Sequence, residues 1–197
     1  MKHIRKILLA AALIALSGCT PPSFVKPAQD KLTLGKSTRD DIIQSVGTPL
    51  SQNNGQINSE KVQFINYFHI EGAKFWGLIV PQRSLTYTVF DNVMVGEAYT
   101  STFDGESTDF DVSKIPAIEK GKSTRAEVVA LLGKPSGEAL YPIVTDKKEK
   151  GLVYVYTWAR FAGMLTSPNT NLLVVSLNEN NVVSKVSFKQ NGVEQIK

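Results

Sequence analysis

The string GKSTR occurs twice, at residues 35–39 and 121–125, and its residue types could bind phosphate. A Gly-Lys-Ser/Thr triplet ends the P-loop, which also needs a glycine five positions earlier so that its backbone N–H groups cradle the phosphates. Those earlier positions hold Asp30 and Pro116, and the segments around them are polar or broken by proline. The sequence therefore predicts no nucleotide binding.

Other residues with catalytic potential are few. His69 is the only histidine besides His3, and no GxSxG motif accompanies it, so we favour a hydrogen-bonded or solvated strand residue. The acidic cluster offers oxygen ligands for Ca²⁺, but its spacing is not that of an EF-hand, which favours a solvated linker. Its members are Asp104, Glu106, Asp109 and Asp111. We predict no catalytic residue, metal or cofactor, and no enzyme.

A second recurring pattern could form a contact surface. KFWGLIVP (74–81) and RFAGMLTSP (160–168) each place a cation, an aromatic residue and a glycine before aliphatic residues, between two predicted strands. These residues either fill the core at strand ends or lie exposed at loop tips, where aromatic and Met side chains anchor interfaces. The candidate contacts to a partner protein or to lipid headgroups are Lys74, Phe75, Trp76, Arg160, Phe161 and Met164.

The first residues form a targeting segment. A basic start is followed by the apolar run 7–16, which is too short to span a bilayer, and then by LSGC ending at Cys19. This resembles a bacterial lipoprotein signal with its lipobox, which implies cleavage before Cys19 and acylation of that residue by chains such as palmitate. Thr20 is not the aspartate that retains many lipoproteins in the inner membrane, so we expect the outer membrane, on its periplasmic face.

Loss of the signal leaves a nearly neutral chain. The full sequence has 22 basic and 18 acidic residues, and three of the basic ones (Lys2, Arg5 and Lys6) lie in the leader. The remaining 19 basic residues almost match the acidic ones, so the sequence predicts no nucleic-acid binding.

The match between the two halves extends beyond five letters. GKSTRDDIIQSVGTP lies over GKSTRAEVVALLGKP without a gap, at an offset of 86 residues, and AKFWGLI lies over ARFAGML at the same offset. Two aligned segments at one spacing indicate a tandem duplication, which decides the architecture.

Each half predicts a short helix. Thr38 and Thr124 are suited to the N-cap position, and an acidic residue follows each at the third place. Gly47 and Gly133 are suited to a left-handed stop residue, and the prolines two positions later prevent continuation. GKSTR therefore indicates the start of a helix of about two turns.

The segments after each helix are rich in β-formers. Three predicted strands follow the first helix and three follow the second, with turns at FDN and LNENN. The fold class is α+β, with two tandem repeats, each a short capped helix followed by a three-stranded antiparallel β-meander. The expected divisions are a signal peptide (1–18), a tether (19–30), repeat 1 (31–103), an acidic linker (104–116) and repeat 2 (117–197).

These features together resemble a known family. A capped helix, a GxP stop and a β-meander on a small envelope lipoprotein resemble the BamE (SmpA/OmlA) domain, and the doubling is similar to the β-lactamase-inhibitor-protein (BLIP-like) fold. The matching residues are Thr38, Ile42, Val46, Gly47, Pro49, Thr124, Val128, Leu132, Gly133 and Pro135. The resemblance implies a protein-binding or scaffold lipoprotein with an accessory role in envelope or outer-membrane-protein assembly. The alternative is an inhibitor or sensor of a soluble periplasmic enzyme.

Lipidation at Cys19 gives a direct prediction. We expect Cys19→Ala to abolish palmitate incorporation and membrane sedimentation, because the several acyl chains of a lipoprotein supply stable anchoring. Metabolic labelling and fractionation of cells measure both. Unchanged sedimentation of the variant would show that something other than this cysteine holds the chain at the membrane.

Overall fold

The computed structural model describes residues 31–72 and 78–195. Most of this structure is antiparallel β-sheet, with two α-helices of eight residues each and one 3₁₀ helix. In chain order the elements are α1 (Arg39–Val46), β1 (Ser51–Ile57), β2 (Glu60–Ile70), β3 (Gln82–Phe90), β4 (Val93–Ser101), the 3₁₀ helix (Val112–Ala117), α2 (Arg125–Leu132), β5 (Gly137–Ala139), β6 (Lys150–Trp158), β7 (Asn169–Leu177), β8 (Val183–Gln190) and β9 (Val193–Gln195).

The nine strands form one sheet in which each strand pairs with its sequence neighbours. Two-residue turns connect β1 to β2 and β3 to β4, and both residues of each turn have positive φ. Asn and Asp tolerate this conformation, and its twist matches that of a hairpin. Asp91 and Asn92 form the second turn, so the hairpin predicted at FDN is confirmed.

The prediction of three strands per half is wrong, because β1 and β5 join the sheet ahead of them. β1 reads SQNNGQI and lacks the alternation of apolar and polar residues that reveals a half-buried strand, since most of its side chains are exposed. β5 has three residues, too few to show any period. A ninth strand, β9, is equally short and fully exposed.

GKSTR fixes each helix to the sheet through backbone hydrogen bonds. In the first half the Gly35 N–H donates to the Met94 carbonyl at 2.8 Å, and the Met94 N–H donates to the Ser37 carbonyl at 2.8 Å. The second half makes the corresponding bonds between Gly121, Ser123 and Val183, at 2.7 and 2.8 Å. The string is thus a backbone connector between a helix start and the last long hairpin of its half.

The threonine of each string caps its helix in a reciprocal arrangement. Thr38 accepts from the Asp41 N–H, and the Asp41 carboxylate accepts from the Thr38 N–H at 2.7 Å. Thr124 and Glu127 form the same capping box, with the carboxylate accepting at 2.8 Å. These bonds satisfy N–H groups that a helix start leaves without partners.

Each helix ends at a glycine held by a tyrosine. Gly47 and Gly133 have φ of 97° and 84°, but their ψ of −164° and −167° is extended, unlike the left-handed helical stop expected from the sequence. Only glycine adopts this region readily. The Tyr67 and Tyr154 hydroxyls donate to the two glycine carbonyls at 3.0 Å, and burial raises the pKa of both to about 12.

Two apolar cores lie under the helices, on the sheet surface that we call the helix-side face. Ile42 of α1 is completely buried among Ile65, Tyr67 and Leu85. Burial of such a side chain contributes roughly 1.5–3 kcal/mol, which an isolated eight-residue helix needs to persist. The second core groups Val128 and Leu132 of α2 with apolar residues of β6, β7 and β8. We call the opposite surface of the sheet the open face.

The acidic stretch 104–116 packs against the second core instead of remaining wholly solvated. Its four clustered carboxylates are exposed, as a solvated linker requires. Phe110 and Ile115, however, are 7% and 3% exposed and belong to the core under α2. The linker prediction is therefore wrong for these two apolar side chains, whose burial outweighs the polarity of their neighbours.

The two halves of the sheet meet at a short seam between β4 and β5. Gly96 pairs with Ala139, and the Tyr99 N–H donates to the Ser136 carbonyl at 3.1 Å. A Cβ atom built on Gly137 would collide with a β4 carbonyl. The backbones approach so closely that this position requires glycine.

A strap, residues 140–149, crosses the open face beside this seam. Ile143 occupies the space over Gly96, where any Cβ would collide with it. The Tyr141 hydroxyl donates to the Glu60 carboxylate at 2.6 Å, so the strap ties the second half to the tip of the β1–β2 hairpin.

The glycine at the end of α2 can be tested by substitution. Gly133→Val should destabilise by about 1–3 kcal/mol, because a β-branched residue is strained at positive φ although no atom lies within 4 Å of the added Cβ. Gly72→Val is the matched control, since Gly72 has equally open space and no positive φ. Equal urea midpoints for the two variants would show that backbone strain does not act at this helix end.

The capping boxes predict acid sensitivity. The pKa of Asp41 and of Glu127 lies below its ordinary value of 3.8 or 4.5, because the cap threonine's backbone N–H and hydroxyl donate to the carboxylate. This stabilisation is complete above the ordinary pKa values and is lost as pH falls through the lower folded values. The Asp41→Asn, Glu127→Gln variant should lose less stability between pH 6 and about pH 3 in urea titrations. An unchanged pH slope would exclude this contribution.

Candidate partner-binding site

Residues 78–80 of the first recurring string lie beside residues 159–161, at the end of the sheet that we call the loop end. Ile79 forms an antiparallel bridge with Arg160. The Val80 N–H donates to the Ala159 carbonyl at 2.9 Å. The described end of the β2–β3 connection and the start of the β6–β7 connection, about 80 residues apart in sequence, are thus joined by backbone hydrogen bonds.

The stems of this structure are buried and its tips are exposed. Val80 and Ala159 are 1% and 4% exposed, whereas Leu78, Met164 and Leu165 are 54%, 74% and 52% exposed. We call these last three residues the paired tips. The buried stems match the interpretation in which the recurring residues fill the core at strand ends. The exposed side chains match the interpretation in which they anchor an interface.

The second loop is a hairpin closed by backbone and side-chain hydrogen bonds. The Thr166 N–H donates to the Arg160 carbonyl and the Arg160 N–H donates to the Thr166 hydroxyl, both at 2.9 Å. Beyond this pair, Phe161 bridges to Leu165. Gly163 has φ of 82° at the turn, which glycine adopts without strain.

Polar side chains join the halves where β5 is too short to continue the seam. The Gln82 side chain, 6% exposed, donates to the Thr157 carbonyl at 3.0 Å. The Thr108 hydroxyl donates to the Val155 carbonyl at 2.9 Å, and the Thr157 N–H donates to the Thr100 hydroxyl at 3.0 Å. These bonds satisfy β6 backbone groups that lack a paired strand, and they place the two loops next to each other.

The described residues at the loop end carry carboxylates together with Arg83 and Arg160. Arg83 forms an ion pair with Glu106 at 2.7 Å, and Glu106 also accepts from the Tyr99 hydroxyl at 2.9 Å. Burial chiefly, with this hydrogen bond, raises the pKa of Tyr99. Exposed carboxylates at the same end are Glu71, Asp104 and Asp109.

His69 packs against neighbouring side chains of the sheet. It lies opposite Arg83 in the β2–β3 ladder, and its ring stacks on Phe103 with centroids 6.1 Å apart. The Arg83 guanidinium lies over the same Phe103 ring at 4.3 Å. Within residues 31–72 and 78–195, no group of three or more His, Cys, Asp or Glu residues is placed to hold a metal ion.

The open face supplies apolar surface that no helix of the described structure covers. Phe68 lies next to Ser84 on this face, and Val155 lies next to Leu172. All of these side chains are half-buried. A partner that contacts the paired tips could extend over this face.

The structure places part of the predicted contact set. Arg160, Phe161 and Met164 lie together in the second loop, with Met164 at its tip. Cys19, Lys74, Phe75 and Trp76 lie outside the described residues. Leu78 and Leu165 were missed, although both follow the glycine of their string, because a run of apolar residues does not reveal which side chain turns outward.

Comparisons with known proteins do not assign the chain to a family. No protein-family model and no curated protein match the chain, so the BamE-like resemblance stays a prediction. A crystal structure described as a "putative beta-lactamase inhibitor protein" from Streptococcus mutans is similar, with a TM-score of 0.40 and 12% identity. The match covers 84% of this chain and 90% of that chain. None of the described helices is long and apolar enough to cross a membrane.

Proposed function

We propose that this chain is a periplasmic lipoprotein of two tandem BamE/BLIP-like units, anchored by Cys19, that binds a protein of the envelope. The observation that carries the proposal is the set of paired tips, three large apolar side chains exposed on two hydrogen-bonded loops. Water contact with these side chains is unfavourable, and the hydrogen bonds between the loop stems reduce the entropy lost when a partner covers them.

The charge around the paired tips favours a protein over a lipid surface. Anionic membranes attract basic patches, whereas the described residues of the loop end include the exposed Glu71, Asp104 and Asp109 besides Arg83 and Arg160. A protein with an apolar pocket and a basic rim complements this arrangement. The acyl chains of Cys19, rather than the loop end, then supply the membrane attachment.

Anchoring and binding have separate parts in this proposal. Cys19 holds the domain on the periplasmic face of the outer membrane and raises its local concentration there. The loop end and the open face provide the contact surface. A role accessory to outer-membrane-protein assembly fits a partner that is itself a membrane complex.

The paired tips can be tested by charge substitution. We expect Met164→Asp with Leu165→Asp to weaken partner binding at least about tenfold, because a carboxylate cannot enter an apolar pocket without losing hydration. Capture from crosslinked bacterial envelopes, quantified by mass spectrometry, measures partner recovery. Val193→Asp is the control, because Val193 is 64% exposed but lies on β9, which β8 separates from the strand that follows the second loop.

The result distinguishes three outcomes. Loss of the same partner from the tip variant, but not from the control, supports the proposal. A soluble enzyme that binds the unlipidated chain equally well would favour the inhibitor alternative. Equal recovery with both variants would contradict a role for the tips.

A further inference from the structure

β1 is a regular edge strand, and no other strand within residues 31–72 and 78–195 pairs with its outer side. It is the first strand in the sheet order, and all seven of its residues pair with β2 in continuous register. Lysine, proline or bulges in the edge strands of natural proteins prevent pairing with other chains. Without them, the unpaired N–H and C=O groups of the edge can bind another strand. SQNNGQI contains no charge and no proline.

The opposite edge of the same sheet is protected. There β9 has three residues, and β8 beside it carries the exposed Lys185 and Lys189. These are the devices expected at an edge that must stay unpaired. The contrast within one sheet indicates that β1 has a pairing role.

The turn after β1 determines which of its groups face outward. A two-residue turn closes on a pair that exchanges both backbone hydrogen bonds, here Ile57 and Glu60. The bonding alternates along an antiparallel strand, so Gln52, Asn54 and Gln56 direct their N–H and C=O groups away from β2.

We propose that β1 pairs antiparallel with β1 of a second copy of this chain, about a two-fold axis through Asn54. In this register Asn54 lies opposite itself, and Gln52 lies opposite Gln56 of the second copy. Every outward N–H and C=O of these three residues then finds a backbone partner. This inference does not rest on the proposed function.

The side chains suit self-association. Gln52, Asn54 and Gln56 lie on the helix-side face, where the amides of Asn54 and Gln56 can both donate and accept across the axis. The Gln52 side-chain oxygen accepts from the Arg39 guanidinium at 2.8 Å, so its amide NH₂ group is the part that can donate to the second copy. No like charges face each other, since the strand is neutral.

The open face adds an apolar contact. A Cβ built on Gly55 would lie 2.7 Å from the Phe64 ring, so this ring extends across Gly55 towards the free edge. In the proposed register, Asn53 of the second copy lies opposite Gly55 and beneath this ring. The two-fold axis repeats the contact.

The pairing surface predicts a weak dimer. Stable complexes bury about 800 Å² per partner, and a seven-residue edge with one aromatic ring offers less. We expect a dissociation constant on the order of 100 μM for the unlipidated chain in solution.

The test compares two variants in the mature chain carrying Cys19→Ala. Asn54→Lys should place two like charges at the axis and weaken the dimer at least about tenfold. Asn180→Lys is the control, with the same charge change on an exposed turn away from β1. Sedimentation equilibrium measures the dimer, and circular dichroism confirms that the variants fold.

Amide exchange measured by NMR supplies a second readout. Raising the protein concentration should slow exchange at Gln52, Asn54 and Gln56, whereas the amides of Asn53 and Gly55 should be protected at every concentration. A monomer at millimolar concentration would overturn the proposal. So would a dimer that Asn54→Lys leaves intact, which would place the interface elsewhere.

Discussion

The fold depends on the backbone hydrogen bonds that join each GKSTR string to one strand of the sheet. This strand is β4 in the first half and β8 in the second half. The Gly35 N–H and the Ser37 carbonyl both form hydrogen bonds with the backbone of Met94. The start of α1 is therefore attached to β4 through backbone atoms alone. A helix of eight residues has too few internal bonds to be stable by itself. Its attachment at the N-terminus, and the tyrosine bond at its C-terminus, place Ile42 over the sheet.

The proposed contact surface depends on the place where strand pairing between the two halves of the sheet stops. Because β5 has only three residues, the seam between the halves cannot continue to the loop end. Gln82, Thr100 and Thr108 bridge the gap with side-chain hydrogen bonds, and the loops beyond them pair through Ile79 and Arg160. Polar residues inside the sheet therefore bring two distant apolar tips together.

Local rules account for the helices and the long strands. Cap residues, glycine stops and alternating apolar residues express short-range energetics that a sequence displays directly. β1 lacks such a signal because an exposed edge needs no apolar face, and β5 is specified by the close approach at Gly137. The pairing of the two loops depends on contacts 80 residues apart, and no local pattern encodes which of Leu78 and its neighbours turns to solvent.

The strap gives the chain an order of assembly. Every strand pairs with the strand before it, so the sheet can grow progressively as the polypeptide emerges during synthesis or export. Residues 140–149 are different, because the Asn58 side chain donates to the Pro142 carbonyl, 84 positions later. The β1–β2 tip therefore cannot make its contacts with the strap until more than half of the remaining chain has been synthesised. Before that point the tip is exposed to solvent.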